Sequence, residues 1–300
     1  MAKRTQEDVV REDEESDSDI ELSSTDDEAL KEESDEDMIN VDFDFFNLDP
    51  TVDFAATKNL LRQLFQQDSV IFPLSQLADL LLTNKVGTSV KTDGMQGDLF
   101  SILSIAGLTD NLSNEGVKAL TKYVLERTAN TPKFNGVLQQ LLSPSSTRKL
   151  GLIFSERLIN MPVQTVPPMY RMLLEEIEKA DLDYNYDYFL IPSRVYQMLD
   201  SEVDKELEDD DDSNGGVSSK KRSKKNKQEI PELEYYHFED EVLEKRALHH
   251  EIFDYTKKGV DPDARRVFND YAVVPKLSLI LISKDSLRKA TEEMSEKFAP

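Results

Sequence analysis

The stretch GLIFSERLINMPVQTVPPMYRMLLEEIEKA, residues 151–180, predicts a strand followed by a helix. It opens with a short apolar run of the kind that forms a buried strand. Pro167 and Pro168 then suit the first turn of a helix, where a missing backbone N–H costs little. Beyond them, helical spacing places four apolar side chains inward: Met169, Met172, Leu173 and Ile177. A strand packed against a helix is the repeating unit of an α/β domain.

The residues before this unit continue the alternation of strands and helices. In VDFDFFNLDP, residues 41–50, the alternation of apolar and acidic residues is typical of a half-buried strand. Asp49 followed by Pro50 predicts a helix N-cap with proline at the first helical position. Buried strands are expected at 86–92 and 99–106, and Ser113 is expected to start a helix with Val117, Leu120 and Val124 inward.

Strands predominate in the later part of the chain. They are predicted in DYFLIPSRVYQ (187–197), LEYYHFED (233–240) and YAVVPKLSLILIS (271–283), and a helix is predicted over 285–297. We therefore expect a single α/β domain over residues 40–300, with a mixed β-sheet flanked by helices. One long insertion interrupts it at 201–230, where glycine, serine and charged residues predict a mobile, disordered loop.

The charge is distributed very unevenly along the chain. Residues 1–49 contain 20 acidic residues against Lys3, Arg4, Arg11 and Lys31, a balance of −16 within a formal net charge of −24. Residues 1–39 are therefore predicted to be a disordered acidic tail. A sequence pI near 4.5 disfavours direct binding of nucleic acid and favours basic protein partners.

Several classes of protein are disfavoured by composition. The chain has no cysteine, which excludes disulfides, thiolate zinc sites and a cysteine nucleophile. The N-terminal residues lack the apolar core of a signal peptide, and the longest apolar run, 277–282, is far shorter than the ~20 residues that span a bilayer. The sequence thus predicts a soluble intracellular protein without a membrane partner.

The tail offers candidate sites for kinases and for a basic client. Four serines have an acidic residue three positions later, the pattern of acidophilic kinase substrates: Ser16, Ser18, Ser24 and Ser34. The candidate client-binding acids are Asp17, Asp19, Glu21, Asp26, Asp27 and Glu28 in the tail, and Asp209, Asp210, Asp211 and Asp212 in the insertion. The alternative is that the tail only keeps the domain soluble.

A basic run follows the insertion's acids. Six cations lie within eight residues: Lys220, Lys221, Arg222, Lys224, Lys225 and Lys227. An exposed, extended run of this type is typical of a nuclear localisation signal, because an import receptor reads each lysine with an acidic pocket. A plain solvated loop is the alternative reading.

Signals for catalysis or metal binding are weak. His237 is predicted to lie in a strand among aromatic residues, where a packed histidine is more plausible than a general base. His249 and His250 are adjacent, so they cannot share one face of a strand and do not predict a metal site. Glu175 and Glu176 are expected on the solvated face of a helix. No phosphate-binding glycine loop or G-x-S-x-G motif occurs.

Five segments resemble the BCCIP family: FDFFNLDPTVDFAATKNLLRQLF (43–65), VGTSVKTDG (86–94), SILSIAGL (101–108), FSERLINMPVQTVPPMY (154–170) and YFLIPSRVY (188–196). The resemblance covers nearly all of residues 40–300 and is closest to the budding-yeast-type member. It implies an N-acetyltransferase-like (GNAT-like) fold without a coenzyme A site and without any cofactor. The [QR]-x-x-G-x-[GA] turn that would bind coenzyme A pyrophosphate is not found in the sequence.

The resemblance also implies a nuclear interaction protein that serves the biogenesis of the large ribosomal subunit. We expect the protein to be monomeric apart from its client. The expected partners are a basic ribosomal protein of that subunit and nuclear import and export receptors. A chaperone or escort is the leading hypothesis, with possible shuttling to the cytoplasm. A transport adaptor without a folding role and an active N-acetyltransferase are the alternatives.

Overall fold

The structure, a computed structural model, describes residues 42–180, 184–199, 233–256 and 272–299. The predicted acidic tail at 1–39 lies outside these residues. The predicted loop at 201–230 lies outside them as well. The limits proposed for these two segments therefore stay predictions.

Eight strands and seven α-helices form the described part. The strands are β1 Asp44–Asn47, β2 Gly87–Lys91, β3 Ser101–Gly107, β4 Leu150–Arg157, β5 Tyr188–Leu199, β6 Leu233–Tyr235, β7 His249–Asp254 and β8 Ala272–Ser283. The helices are α1 Phe54–Phe65, α2 Leu74–Thr83, α3 Glu115–Arg127, α4 Pro132–Leu141, α5 Val166–Lys179, α6 Asp240–Lys245 and α7 Lys284–Lys297. Short 3₁₀ turns cover Gln66–Ile71, Thr128–Asn130 and Val163–Thr165. None of these helices is long and apolar enough to cross a bilayer.

All eight strands belong to one sheet in the order β1-β2-β3-β4-β5-β8-β7, and β6 pairs with β5. Every described pairing is antiparallel except that of β4 with β5, which is parallel. The longest pairing joins β5 to β8 over twelve residue pairs, from Tyr188 opposite Ser283 to Leu199 opposite Ala272. The predicted mixed sheet flanked by helices in a single α/β domain is confirmed.

Helices cover both faces of the sheet. Helices α1 to α4 pack on one face in a core that includes Leu64 and Phe154, while α5 to α7 pack on the other in a core that includes Ile153 and Leu173. Neighbouring residues of β4 enter opposite cores because successive strand side chains point to opposite faces. Burial on both faces explains why the central strands are continuous apolar runs in the sequence.

Three predicted details of local structure were wrong. Helix α1 begins at Phe54, not after Asp49, because the Asp49 carboxylate accepts a bond from Thr51 N at 2.8 Å and forms a separate turn. Helix α3 has Asn114, not Ser113, as its N-cap, and the Asn114 side chain accepts from two backbone amides. The strand predicted at 233–240 ends at Tyr235 and the chain then turns into α6, while β7 was not predicted.

Glu176 is another correction. It is half-buried, whereas a solvated position was expected, and its Oε2 accepts from Gly87 N at 3.0 Å. Burial raises the pKa of this carboxyl. Gly87 has a φ of +148°, and a Cβ there would lie 2.9 Å from the Leu103 carbonyl oxygen. Any other residue at position 87 would be strained and would clash, so glycine is required where Glu176 of α5 binds the backbone of β2.

Candidate functional site: the gap between β4 and β5

The two parallel strands separate soon after they pair. Strand β4 pairs with β5 only from Leu150 opposite Tyr188 to Leu152 opposite Leu190. Because β8 occupies the whole other side of β5, residues 195–197 use the side facing β4 to pair with β6. A gap therefore opens between residues 153–157 of β4 and residues 191–194 of β5. Charged and polar side chains fill it.

A buried ion pair spans the gap on the face of the sheet covered by α1. Arg194 Nε lies 3.0 Å from Glu156 Oε1, and its Nη2 lies 3.1 Å from Oε2. Gln63 donates to Glu156 Oε2 at 3.1 Å, and the guanidinium lies 4.5 Å from the centre of the Tyr236 ring. Burial raises the pKa of Glu156, and the charge of Arg194 opposes that effect. Burial opposes the charge on Arg194, but Glu156 outweighs it and raises the pKa of the guanidinium.

A second ion pair lies on the opposite face, beside α5. Arg157 forms a two-pronged bond with Glu239, in which Nη2 lies 2.9 Å from Oε2 and Nη1 contacts Oε1. Next to it, Ser193 donates to the Asp240 carboxyl. Burial, and then the neighbouring charge of Glu239, raise the pKa of Asp240 well above its usual value. These bonds tie the turn before α6 to both separated strands.

His237 lies between the two pairs. Its Nδ1 is 3.5 Å from Ser193 Oγ, and its Nε2 is 3.6 Å from Glu156 Oε2. The ring is only 3% exposed. Burial lowers the pKa of His237 well below its usual value, and the charges of Arg157 and Arg194 add to the effect, so the ring is neutral near pH 7. His237 is in a turn rather than in the predicted strand.

Serine, histidine and aspartate meet here, but not in the arrangement of a nucleophile. A nucleophilic serine needs a hydrogen bond to the histidine, and the acid must orient that histidine from its far side. Here Ser193 donates to Asp240, its contact with His237 Nδ1 is long at 3.5 Å, and Glu156 on the far side of the ring is bound to Arg194. Ser193, His237 and Asp240 are also each at most 3% exposed. The arrangement is suited to holding β4, β5 and the turn before α6 together.

The adjacent histidines of β7 point in opposite directions, as their spacing predicted. The His249 ring stacks on Phe134 with the centroids 5.4 Å apart. His250 Nε2 lies 3.1 Å from Ser278 Oγ and 3.0 Å from Glu244 Oε1. Across the four described ranges, no cluster of three or more histidine, aspartate or glutamate side chains could hold a metal ion.

The sites predicted from the sequence and the gap do not overlap. The candidate phosphorylation serines, the candidate client-binding acids and the basic run at 220–227 all lie outside the described residues. Sequence analysis missed the gap cluster, although the adjacent opposite charges of Glu156 and Arg157 at the end of an apolar strand were a visible signal. A charge in such a strand is buried only with a partner.

The BCCIP family model matches residues 38–243, a range that includes every charged residue of the gap. The chain belongs to the BCCIP family. This confirms the resemblance seen in the sequence.

Individual family members agree over most of the chain. Protein BCP1 of Debaryomyces hansenii is 46% identical over 286 residues, which cover 89% of each chain. Protein bcp1 of Schizosaccharomyces pombe is 38% identical over 270 residues, 88% of this chain and 92% of its own. The crystal structure of BCP1 from Saccharomyces cerevisiae has a TM-score of 0.58 and 31% identity, and the match covers 88% of this chain and 92% of that one.

Proposed function

We propose that this family member is a non-catalytic nuclear chaperone or escort that binds a basic protein of the large ribosomal subunit. In that role it would support assembly of the subunit and nuclear transport of its client. The observation that carries the proposal is the charge distribution: a balance of −16 within residues 1–49 and a formal net charge of −24 overall. Ribosomal proteins present dense lysine and arginine surfaces to RNA. Carboxylates that cover those surfaces prevent premature contact with RNA and aggregation.

The gap between β4 and β5 supports the non-catalytic part of the proposal. Open α/β sheets bind ligands in the crevice at the carboxyl ends of separated parallel strands. The parallel pair of β4 and β5, which opens within a mixed sheet, also supports our assignment of an N-acetyltransferase-like fold. In this chain, two ion pairs and His237 occupy the corresponding space. Together with the missing glycine turn, this argues that the framework has no coenzyme A site.

Nuclear location is the remaining part of the proposal. The basic run at 220–227 supports import by a receptor that reads extended lysine-rich peptides. It favours a transport adaptor equally, which is therefore the second candidate function. The two differ in whether the client or the transport machinery is the main bound partner.

Affinity purification from nuclear extract tests the proposal. The tagged full chain is incubated at low salt and washed with high salt, which shortens the range of charge–charge attraction to a few ångströms. We expect one basic ribosomal protein in near-stoichiometric amount that leaves with high salt. A set of transport factors without such a protein would favour the adaptor. Capture of neither class would reject both functions.

A further inference from the structure

Exposed apolar side chains are concentrated at one end of the sheet. Among the described residues, ten large hydrophobic side chains are exposed, and six of them lie at the end where β4 and β5 separate. The six are Met95, Leu158, Ile159, Met198, Leu233 and Phe238. Ile159 is 81% exposed and Phe238 is 59% exposed. Exposed apolar residues scattered singly are normal in soluble proteins, but a concentration of this kind marks an interaction site.

Direct contacts join the segments that carry these side chains. Leu158 N donates to Phe100 O at 2.9 Å, which links the start of the β4–α5 connection to the β2–β3 loop. The bond from Arg157 to Glu239 places Leu158 and Phe238 on neighbouring segments, since each is adjacent in sequence to one partner. Strand pairing sets Leu233 opposite Gln197, beside Met198. The six residues therefore belong to one connected end of the domain.

Three of the described cations near this end are turned inward. Lys91, at the end of β2, lies 2.6 Å from Asp53, and both side chains are fully buried. Arg157 and Arg194 are neutralised inside the gap by glutamates. Among the described residues, the surface segments 42–44, 92–100, 158–165, 195–199 and 233–238 contain no lysine or arginine. Lys276, which pairs in register with Val195, is bound to Asp254 at 2.5 Å.

The acids at the same end are turned outward. Five of them are exposed: Asp42, Asp44, Asp93, Asp98 and Glu234. Asp44 pairs in register with Lys91, and Asp93 and Asp98 lie in the loop that carries Met95. Apolar side chains with exposed carboxylates around them, and no exposed cation in the described segments between them, complement a partner in which lysine and arginine flank apolar residues.

We propose that this surface, which we call the apolar–acidic end, is the part of the folded domain that contacts the client. The assignment rests on the proposed function and adds to it a location and a required chemistry: a lysine- and arginine-rich protein with apolar residues among its charges. The apolar side chains exclude water and hold the bound pose, while the carboxylates steer the approach.

A retention assay with matched variants tests the assignment. The probe is the protein mixture released by lithium chloride from purified large ribosomal subunits, offered to the immobilised full chain. The test variant is Ile159→Ser with Phe238→Ser. The control is Val70→Ser with Leu248→Ser, two residues of similar exposure, 71% and 52%, outside the apolar–acidic end. Matching circular dichroism and urea midpoints show that both variants are folded.

We expect the test variant to retain about tenfold less of the basic protein that the unmodified chain retains, as loss of central anchors predicts. The control variant is expected to retain it unchanged. Hydrogen exchange on the unmodified chain should also slow in residues 92–100 and 158–161 when the client is bound, a readout that needs no substitution.

The outcomes separate the two claims. Suppose that the unmodified chain and the test variant retain a basic protein equally well, and that the client does not slow hydrogen exchange in the unmodified chain. The surface assignment then fails and the proposed function stands. Equal losses in the test and control variants also overturn the assignment. If the unmodified chain retains no basic protein, the proposed function fails and the assignment fails with it.

Discussion

Removing Arg157 should cost far more stability than removing a surface arginine. In Arg157→Met, Glu239 stays buried at 1% exposure without its partner, and the bond at 2.9 Å between Nη2 and Oε2 is lost. Loss of one partner of a buried pair costs about 3–5 kcal/mol. Domains of this kind are stable by about 5–15 kcal/mol, so the variant would lose a large fraction of its margin.

A double-mutant cycle isolates the pair. In Arg157→Met with Glu239→Gln no charge is stranded, so the double variant should cost at least about 2 kcal/mol less than the sum of the single variants. The matched control is Arg288→Met, which breaks a pair with Glu178 whose side chains are 44% and 45% exposed. It should cost below about 1 kcal/mol.

Urea unfolding followed by far-ultraviolet circular dichroism measures the wild type, the two single variants, the double variant and the Arg288→Met control, because the chain has no tryptophan for a fluorescence signal. The slope of unfolding free energy against urea concentration should stay constant across them. The reasoning is refuted if Arg157→Met costs no more than Arg288→Met, or if the single costs simply add in the double variant.

Four further predictions concern the buried histidine, the coenzyme and the two charged segments. The lowered pKa of His237 means that the unfolded chain takes up a proton near pH 6.5 while the folded chain does not, so this group destabilises the fold as pH falls below about 6.5. The raised pKa values of Glu156 and Asp240 act with the opposite sign, so the test compares the wild type with His237→Gln. Between pH 6.5 and 5, the unfolding free energy of the wild type, measured by urea titration, should fall by up to about 1.4 kcal/mol more per pH unit than that of the variant. Calorimetric titration with coenzyme A or acetyl-coenzyme A should detect no binding, and a dissociation constant in the low micromolar range would revive the acetyltransferase hypothesis. Alanine at the cations of residues 220–225 should reduce nuclear accumulation of a tagged chain without lowering its melting temperature, and unchanged enrichment would reject the import signal. Deletion of residues 1–39 should leave stability nearly unchanged but slow association with the basic client and flatten its salt dependence in stopped-flow measurements, whereas an unaltered rate and salt slope would leave the tail as a solubiliser.

The sequence allowed prediction of the elements whose signal is local. Long apolar runs such as 277–282 and amphipathic stripes such as that of α5 have periodicities that only one type of element satisfies, and both were predicted. Strand β7 was missed because its residues are partly exposed and include two histidines, which carry little strand signal. Its identity comes from pairing with β8, a tertiary contact.

The candidate site depends even more on tertiary contacts that the local sequence does not predict. Glu156 and Arg157 are adjacent in the sequence, but their partners Arg194 and Glu239 are 38 and 82 residues away. No local pattern pairs charges over such distances, so the sequence around Glu156 and Arg157 can indicate burial but cannot identify their partners. The residue patterns predicted the mixed sheet correctly, and the family resemblance carried no information about what fills the gap.

The position of β8 in the sheet has a consequence for how this chain acquires its structure during synthesis. Strand β8, the last strand in the described part of the chain, is inserted between β5 and β7, so the sheet is incomplete until residue 283 has left the ribosome. Until then, the twelve-residue edge of β5 is unpaired and both apolar cores lack the side chains of β8, such as Leu279 and Ile280, a condition that favours aggregation. Nascent chains stalled before this point should therefore depend on chaperones. A stop codon that removes only β8 and α7 should abolish the native state of the whole domain.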